Sequence, residues 1–359
     1  YHPYYDEKRT YELKTNKDEY DFSMLARLIR IIEQSPDSLD LVLNTKEVLQ
    51  YLAMNILTGS WDDYRFLKNN FYLKYDPSDD LIHWIPYDYD NTFSIDWFDI
   101  DWSSIDPYGY SVADNGGRSL TEYLFSQERY KNIFYHFLKF YNEKLFNLDT
   151  IEYRLNHFLD FLYQAADEDI YRTLDYGFTM DDFSNSYGED FQVAHVKQGI
   201  LEYIYQRKET LNDQIFLDND IPIIYEAFLD NDIIILGDTV KVRASCLGNF
   251  SDAKVFYKHL DEENWINMSL IFQPDTTSTM IEDHDLWVAD FVPTFSTDYQ
   301  WYITVANNEL IDRFPIYGYK SFQVINDVGP QSVFINELLT NNVSISTDEE
   351  GEFDDWVEL

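Results

Sequence analysis

Cysteine is almost missing from this chain: its 359 residues include one, Cys246. A disulfide within the chain is thereby excluded, as is a thiolate metal cluster. Cys246 stands in the alternating run VKVRASC, where a buried strand thiol is expected. Positive charge is scarce as well. Lysine and arginine number 26 against 66 aspartates and glutamates, for a formal net charge of −40. A field of that sign repels nucleic-acid phosphates and disfavours anionic membranes, so a general phosphate-backbone binder is excluded. It suits a soluble protein in saline surroundings. There is no run of about 20 apolar residues, so no membrane-spanning helix is expected. No signal-peptide pattern is present either. The chain opens on Tyr1 rather than Met and stops inside DDWVEL, which reads as a fragment cut at both ends.

Apolar material is plentiful. The chain is 45% hydrophobic and 18% aromatic, enough for sizeable cores in about two or three domains. Residues 1 to about 217 read as mainly helical. Asn44 with Glu47 three residues on resembles a capping box. It is followed by an apolar stripe, Val48, Leu49, Leu52, Ala53 and Ile56, and by Gly59 as the stop. The longest clean helix is expected after Ser126, with Tyr130, Ile133, Phe134, Phe137, Leu138, Tyr141 and Leu145 recurring at three- and four-residue steps. A third begins near Asp149, and its stripe of Ile151, Leu155, Phe158, Leu159 and Leu162 is expected to be core. A fourth carries Val193, Val196, Ile200, Tyr203, Ile204 and Leu211.

Within this helical part, residues 71–95 read as β: an alternating run, a five-residue loop DPSDD, then the apolar run LIHWIP. After about residue 218 the helical period disappears. Short alternating runs take over, including TVKVRA, KVFY, LWVADF, QWYITV and KSFQV, as in an antiparallel β-sandwich spanning residues 218–328. Pro222 marks its start and Gly329-Pro330 its end. Residues 329–359 begin another β module and break off.

The segment IPYDYDNTF, residues 85–93, concentrates chemistry. If the apolar run is a strand that continues through it, Asp88 and Asp90 share a face with Cβ atoms roughly 6–7 Å apart. Two anions so placed repel, and a hard divalent cation removes that penalty. Upstream, the loop WDDYRFLKNN supplies Asp62, Asp63 and Asn70. A loop Asp, a later Asn and a strand-end Asp occur in that order in protein kinases, where phosphoryl transfer needs metals on the phosphates and an acceptor held in line. Spacing alone leaves other readings open. Asp62 and Asp63 could be a solvated loop after a helix, and Asp88 and Asp90 a turn that caps the next segment. The acidic loop DWFDID, residues 96–101, offers oxygen ligands for Ca²⁺, or is an exposed acidic loop.

Four stretches resemble the CotH family, atypical protein kinases first named from a spore-coat protein: YELKTNKDEYDFSMLARLI, the WDDY…NNFYLKYDP hairpin, IHWIPYDYDNTF and VKQGILEYIYQRKETL. The resemblance covers residues 1 to about 217 and implies a kinase-like C-terminal lobe. It implies ATP as phosphate donor, Mg²⁺ or Mn²⁺ as cofactor, and protein Ser/Thr hydroxyls as acceptors. Position by position, Asp62 is implied as the catalytic residue facing the acceptor hydroxyl. Asn70, Asp88 and Asp90 are implied as metal ligands. Tyr87 stands where relatives usually carry Trp, Ser94 where a Gly is frequent, and two extra residues separate Asp62 from Asn70. The amino-terminal lobe of such a kinase would precede YELKTN, where this chain has ten residues, so the fragment alone is expected to be inactive. Lys14 and Lys17 are expected to be exposed loop lysines.

Residues 222–325 look Ig-like or fibronectin-like by their alternation. The run FINELLTNN…DDWVEL resembles the opening of a lamin-tail domain. Modules of these kinds imply a secreted or surface protein. An alternative from another class is a surface adhesion or scaffold protein whose kinase-like part is catalytically idle.

Overall fold

The computed structural model describes residues 11–109, 117–174, 176–188, 191–273 and 286–326, together with the backbone of four short strands outside these ranges. Two of those strands, β1 (Tyr4–Tyr5) and β2 (Lys8–Arg9), pair with each other near the start. Helix α1 (Ser23–Gln34) follows, then a 3-10 helix (Pro36–Leu41).

Helix α2 (Thr45–Thr58) is the axis of the helical part. Val48, Leu49, Leu52, Ala53, Ile56 and Leu57 are each at most 1% exposed. The Asn44 side chain accepts from Glu47 N, as the sequence pattern predicts. The Glu47 carboxylate does not return to the cap. It receives Trp84 N at 2.9 Å and contacts His83 Nδ1 at 2.8 Å. Gly59 ends the helix at φ +67°, a conformation that L side chains avoid. A Cβ there would also lie 2.6 Å from the Tyr203 hydroxyl.

Strands β3 (Phe71–Asp76) and β4 (Leu81–Pro86) form the expected hairpin, with Phe71 opposite Pro86. Its connection is residues 77–80, one shorter than expected, because Asp76 pairs with Leu81. The hairpin docks beside α2 through Asn44 N to Ile82 O and Ile82 N to Val42 O, both 2.9 Å. An aromatic stack backs it: Phe71 lies on Trp84 at 4.4 Å and 13°, and Tyr64 meets both rings edge-on.

Helices α3 (Ser119–Ser126), α4 (Glu128–Lys144), α5 (Leu148–Glu168), α6 (Met180–Asn185) and α7 (Ile200–Gln214) complete the helical part. Helix α4 packs along α2 and its stripe is buried as expected except for Leu145, which caps the helix and is 39% exposed; α5 is the longest helix at 21 residues. The predicted core stripe of α5 is a correction: none of its residues is buried, and Phe158 and Leu162 are 54% and 45% exposed. Periodicity reports which face is apolar, not whether a neighbour covers it. Val193 and Val196 also fall outside α7. They pair with each other in a turn before Gly199 caps the helix.

Beyond α7 the chain is β. A four-stranded sheet runs in the order β10 (Ile271–Phe272), β11 (Leu286–Phe291), β7 (Val240–Leu247), β5 (Ile223–Leu229). A second sheet runs β6 (Ile233–Ile235), β14 (Lys320–Ile325), β12 (Asp298–Ala306), β8 (Asp252–His259), β9 (Ile266–Ser269), with β13 (Ile311–Phe314) paired to β12. Pairing is antiparallel except between β14 and β6. Val242, Ala244, Val255, Ile303, Val305 and buried Cys246 belong to one apolar cluster shared by both sheets. The chain is thus mixed, helical first and then built from antiparallel sheets. The lamin-tail-like run lies outside the described residues, apart from the paired strands β15 (Glu337–Leu339) and β16 (Trp356–Glu358).

Candidate functional site

Two polar segments meet where α2 ends and the hairpin begins and ends. The first is loop 62–70. Asp63 organises it: its side chain accepts from Phe66 N at 2.8 Å, and its carbonyl accepts from Leu67 N and Asn69 N at 3.2 and 3.0 Å. These bonds coil the loop and turn Asp62 toward its far end. Asp62 is half-buried and accepts from Asn69 Nδ2 at 3.2 Å and Asn70 Nδ2 at 3.0 Å, one amide on each oxygen. The carboxylate plane is fixed by both.

Asn70 is the joint between the two segments. Its side chain holds Asp62, and its carbonyl accepts from Tyr87 N at 3.3 Å, so Asp88 follows directly from a residue bonded to the loop. Strand β4 stops at Pro86, and Asp88 takes φ +57°. The expectation that Asp88 and Asp90 share a strand face is therefore not met. They stand in irregular chain just past the strand, both exposed. Asp90 accepts from Asn91 Nδ2 at 2.9 Å, and no hydrogen bond joins it to Asp62, Asn70 or Asp88 among the described residues. The structure thus links Asp62, Asn70 and the segment of Asp88, and leaves Asp90 at its edge.

Beneath both segments runs a buried connection that spacing did not reveal. Asn55, 1% exposed on α2, donates to Asp63 Oδ2 at 2.8 Å and accepts from the Tyr89 hydroxyl at 2.8 Å. Tyr89 lies between Asp88 and Asp90, and Asp63 adjoins Asp62. One amide therefore sets the depth of one segment against the other. Asp63 is not a solvated loop acid: it is 1% exposed, and burial pushes its pKa up to about 6. The signal in the sequence was a single asparagine inside the apolar stripe of α2.

The departures from relatives also find places. Ser94 adopts φ +75°, a backbone region that favours glycine, the residue the resemblance implies at that position. Tyr87 is half-exposed and its ring lies 5.0 Å from that of Tyr72. Lys14 and Lys17 are exposed and pair with Glu12 at 3.0 and 3.6 Å.

Side-chain oxygens from Asn70, Asp88 and Asp90 are hard donors of the kind Mg²⁺ takes, usually through one or two carboxylates plus substrate phosphates. With Asn70 Nδ2 spent on Asp62, Oδ1 is the atom that residue can offer. Among the described residues no group of three or more His, Cys, Asp or Glu is arranged so that it could hold a metal ion. Two of the three acids of the 96–101 loop are spent on protein donors: Asp96 accepts from Phe98 N, Ile100 N and Trp102 Nε1, and Asp101 from Ser103 and Ser104, while Asp99 is exposed.

The site thus combines a loop acid braced by two amides with a second acid that follows a hairpin strand. The protein-family model described as CotH kinase protein matches residues 1–211. The chain belongs to the CotH kinase family. No curated protein matches it. Of solved structures, 13 chains match. One is the crystal structure of an engineered protein, 11% identical, with a TM-score of 0.21; the match covers 39% of this chain and 31% of that one, under a third of its length. Among the described residues no helix is long and apolar enough to cross a membrane.

Proposed function

We propose that this chain is part of a secreted or surface protein kinase that transfers the γ-phosphate of ATP to serine or threonine hydroxyls of a protein. Family membership supports ATP and a protein acceptor. The single observation that carries the reading is the joint at Asn70, bonded to Asp62 by its side chain and to Tyr87 by its carbonyl. Asp62, held by two amides, orients the acceptor hydroxyl and accepts its proton as the new O–P bond forms and the bond to ADP breaks. Asn70, Asp88 and Asp90 would hold Mg²⁺ or Mn²⁺, which when bound neutralises charge on the phosphates. Domain divisions near residues 217 and 328, an Ig-like character for the two sheets and a lamin-tail module after them belong to the same proposal. Such modules are spacing and binding units, and their company supports export.

The test is phosphate transfer from labelled ATP by the complete protein. Asp62→Ala and Asp88→Ala should each lower turnover at least about 10²-fold. Unchanged turnover in either removes that residue from the chemistry. An idle scaffold would show no thermal shift that depends jointly on ATP and Mg²⁺.

A further inference from the structure

Helix α2 turns a polar row toward the site. Tyr51, Asn55 and Thr58 stand at steps of four and three residues, so they share one side of the helix, and all three are at most 9% exposed. Each is tied to a polar segment. The Tyr51 hydroxyl accepts from Tyr64 N at 3.1 Å, in loop 62–70. The Thr58 carbonyl accepts from Phe93 N at 2.8 Å, in the segment after the hairpin. Asn55 lies between them and bonds both segments: its Nδ2 donates to Asp63 Oδ2 and its Oδ1 accepts from the Tyr89 hydroxyl, each at 2.8 Å.

The residue type fits that double duty. An amide carries a donor and an acceptor on one rigid plane. A carboxylate at position 55 would meet Asp63 with like charge, and an apolar side chain would take this partner from Asp63 Oδ2 and from the Tyr89 hydroxyl. Packing alone does not call for the arrangement, because apolar groups of the same shape would hold the elements together about as well. What the bonds add is direction. Asp63 and Tyr89 are each held in one orientation, and each adjoins a candidate site acid, Asp62 and Asp88.

We propose that Asn55 is a positioning residue, which couples the two segments and holds Asp62 and Asp88 at a set separation. Its catalytic consequence rests on the kinase reading; the coupling between the segments does not. In-line transfer needs the acceptor-side acid and the metal-side acid in register, and a misplacement of about 1 Å can cost about 10²-fold in rate.

Two readouts on the complete protein test this. Asn55→Ala cuts both bonds, and Tyr89→Phe removes one hydroxyl while keeping the ring. Thermal melts check that each variant folds. Each should lower kcat for phosphate transfer from ATP at least about tenfold, with KM for ATP within about twofold of the parent. The hydroxyl acts through the amide, so adding Tyr89→Phe to Asn55→Ala should cost less than about twofold more. The second readout needs no turnover. Hydrogen exchange at Phe66 and Asn69, whose amides bond Asp63, should speed up at least about threefold in Tyr89→Phe, a change made in the other segment. Parent-like kcat in folded Tyr89→Phe, losses that multiply in the double variant, or unmoved exchange in the loop overturns the proposal. Faster exchange in Tyr89→Phe, with no phosphate transfer by the parent, would sink the kinase reading and keep Asn55 as the tie between the segments.

Discussion

Asp63 spends its carboxylate and its carbonyl on holding one loop, and it does so away from water. Burial raises its pKa to about 6, above the unfolded value near 3.9. The sign follows from linkage: the folded state binds the proton more tightly, so this group's stabilisation is complete below about pH 4 and is lost as pH rises through 6. Near neutrality the charged form costs on the order of 3 kcal/mol. The large negative charge of the chain also relaxes on acidification, so the test is a difference. In denaturant titrations between pH 4 and 7, Asp63→Asn should lack most of the gain that the parent shows on lowering pH. Superimposable profiles would mean that Asp63 is effectively solvated. Asn55 belongs to the same small network, since it bonds both Asp63 and Tyr89. Local spacing marked Asp62, Asn70, Asp88 and Asp90, because chemistry-bearing types recur in a family order. It could not mark Asn55, whose meaning depends on a loop eight residues on and a tyrosine 34 residues on.

At the scale of elements, what could be read depended on how local the cause was. The caps of α2, the hairpin and the alternating strands β7, β8, β11, β12 and β14 follow from neighbouring residues, and they stand where expected. Strand β6 joins its sheet in parallel by pairing with β14, far along the chain, and no local pattern announces it. The same distinction explains α5, whose apolar stripe is plain but whose covering depends on other parts of the fold. The hairpin's anchoring is likewise non-local. His83 Nδ1 and Nε2 contact Glu47 and Asp79 at 2.8 and 3.0 Å, and the hydrogen bond the ring donates to Glu47, more than the one to Asp79, raises its pKa. A raised histidine stabilises fully below its ordinary value near 6.5, and that support is lost as pH climbs through the shifted one. Hydrogen exchange at Ile82 and Trp84, corrected for intrinsic rates, should therefore accelerate above about pH 6.5. The acceleration should vanish in His83→Gln. A flat corrected profile in the parent would show that the ring's charge does not hold the hairpin.

Across the whole molecule, the helical and β parts meet through paired polar groups. Arg129 on α4 bonds Asp312 on β13 at 3.3 Å and the Ile224 carbonyl on β5 at 3.0 Å, while Asp312 accepts from Ile224 N at 2.7 Å. Lys46 meets Glu226 at 2.8 Å, and Tyr225 joins the helical core. Removing one partner strands the other, with a cost of about 3–5 kcal/mol for fully buried pairs and less here, since Arg129 retains some contact with water. Calorimetry of Arg129→Met should show loss of about 2 kcal/mol and a melt that splits in two. A single unshifted transition would mean that the contact is incidental.

Asp312 uses one carboxylate to grip both a helix of the first part and a strand of the second. The β sheets are therefore a handle rather than a pendant on a string. On the proposed kinase reading, a surface bound by the sheets would also decide which way Asp62 faces, and a hydroxyl behind the protein would stay beyond reach however tightly the handle were held.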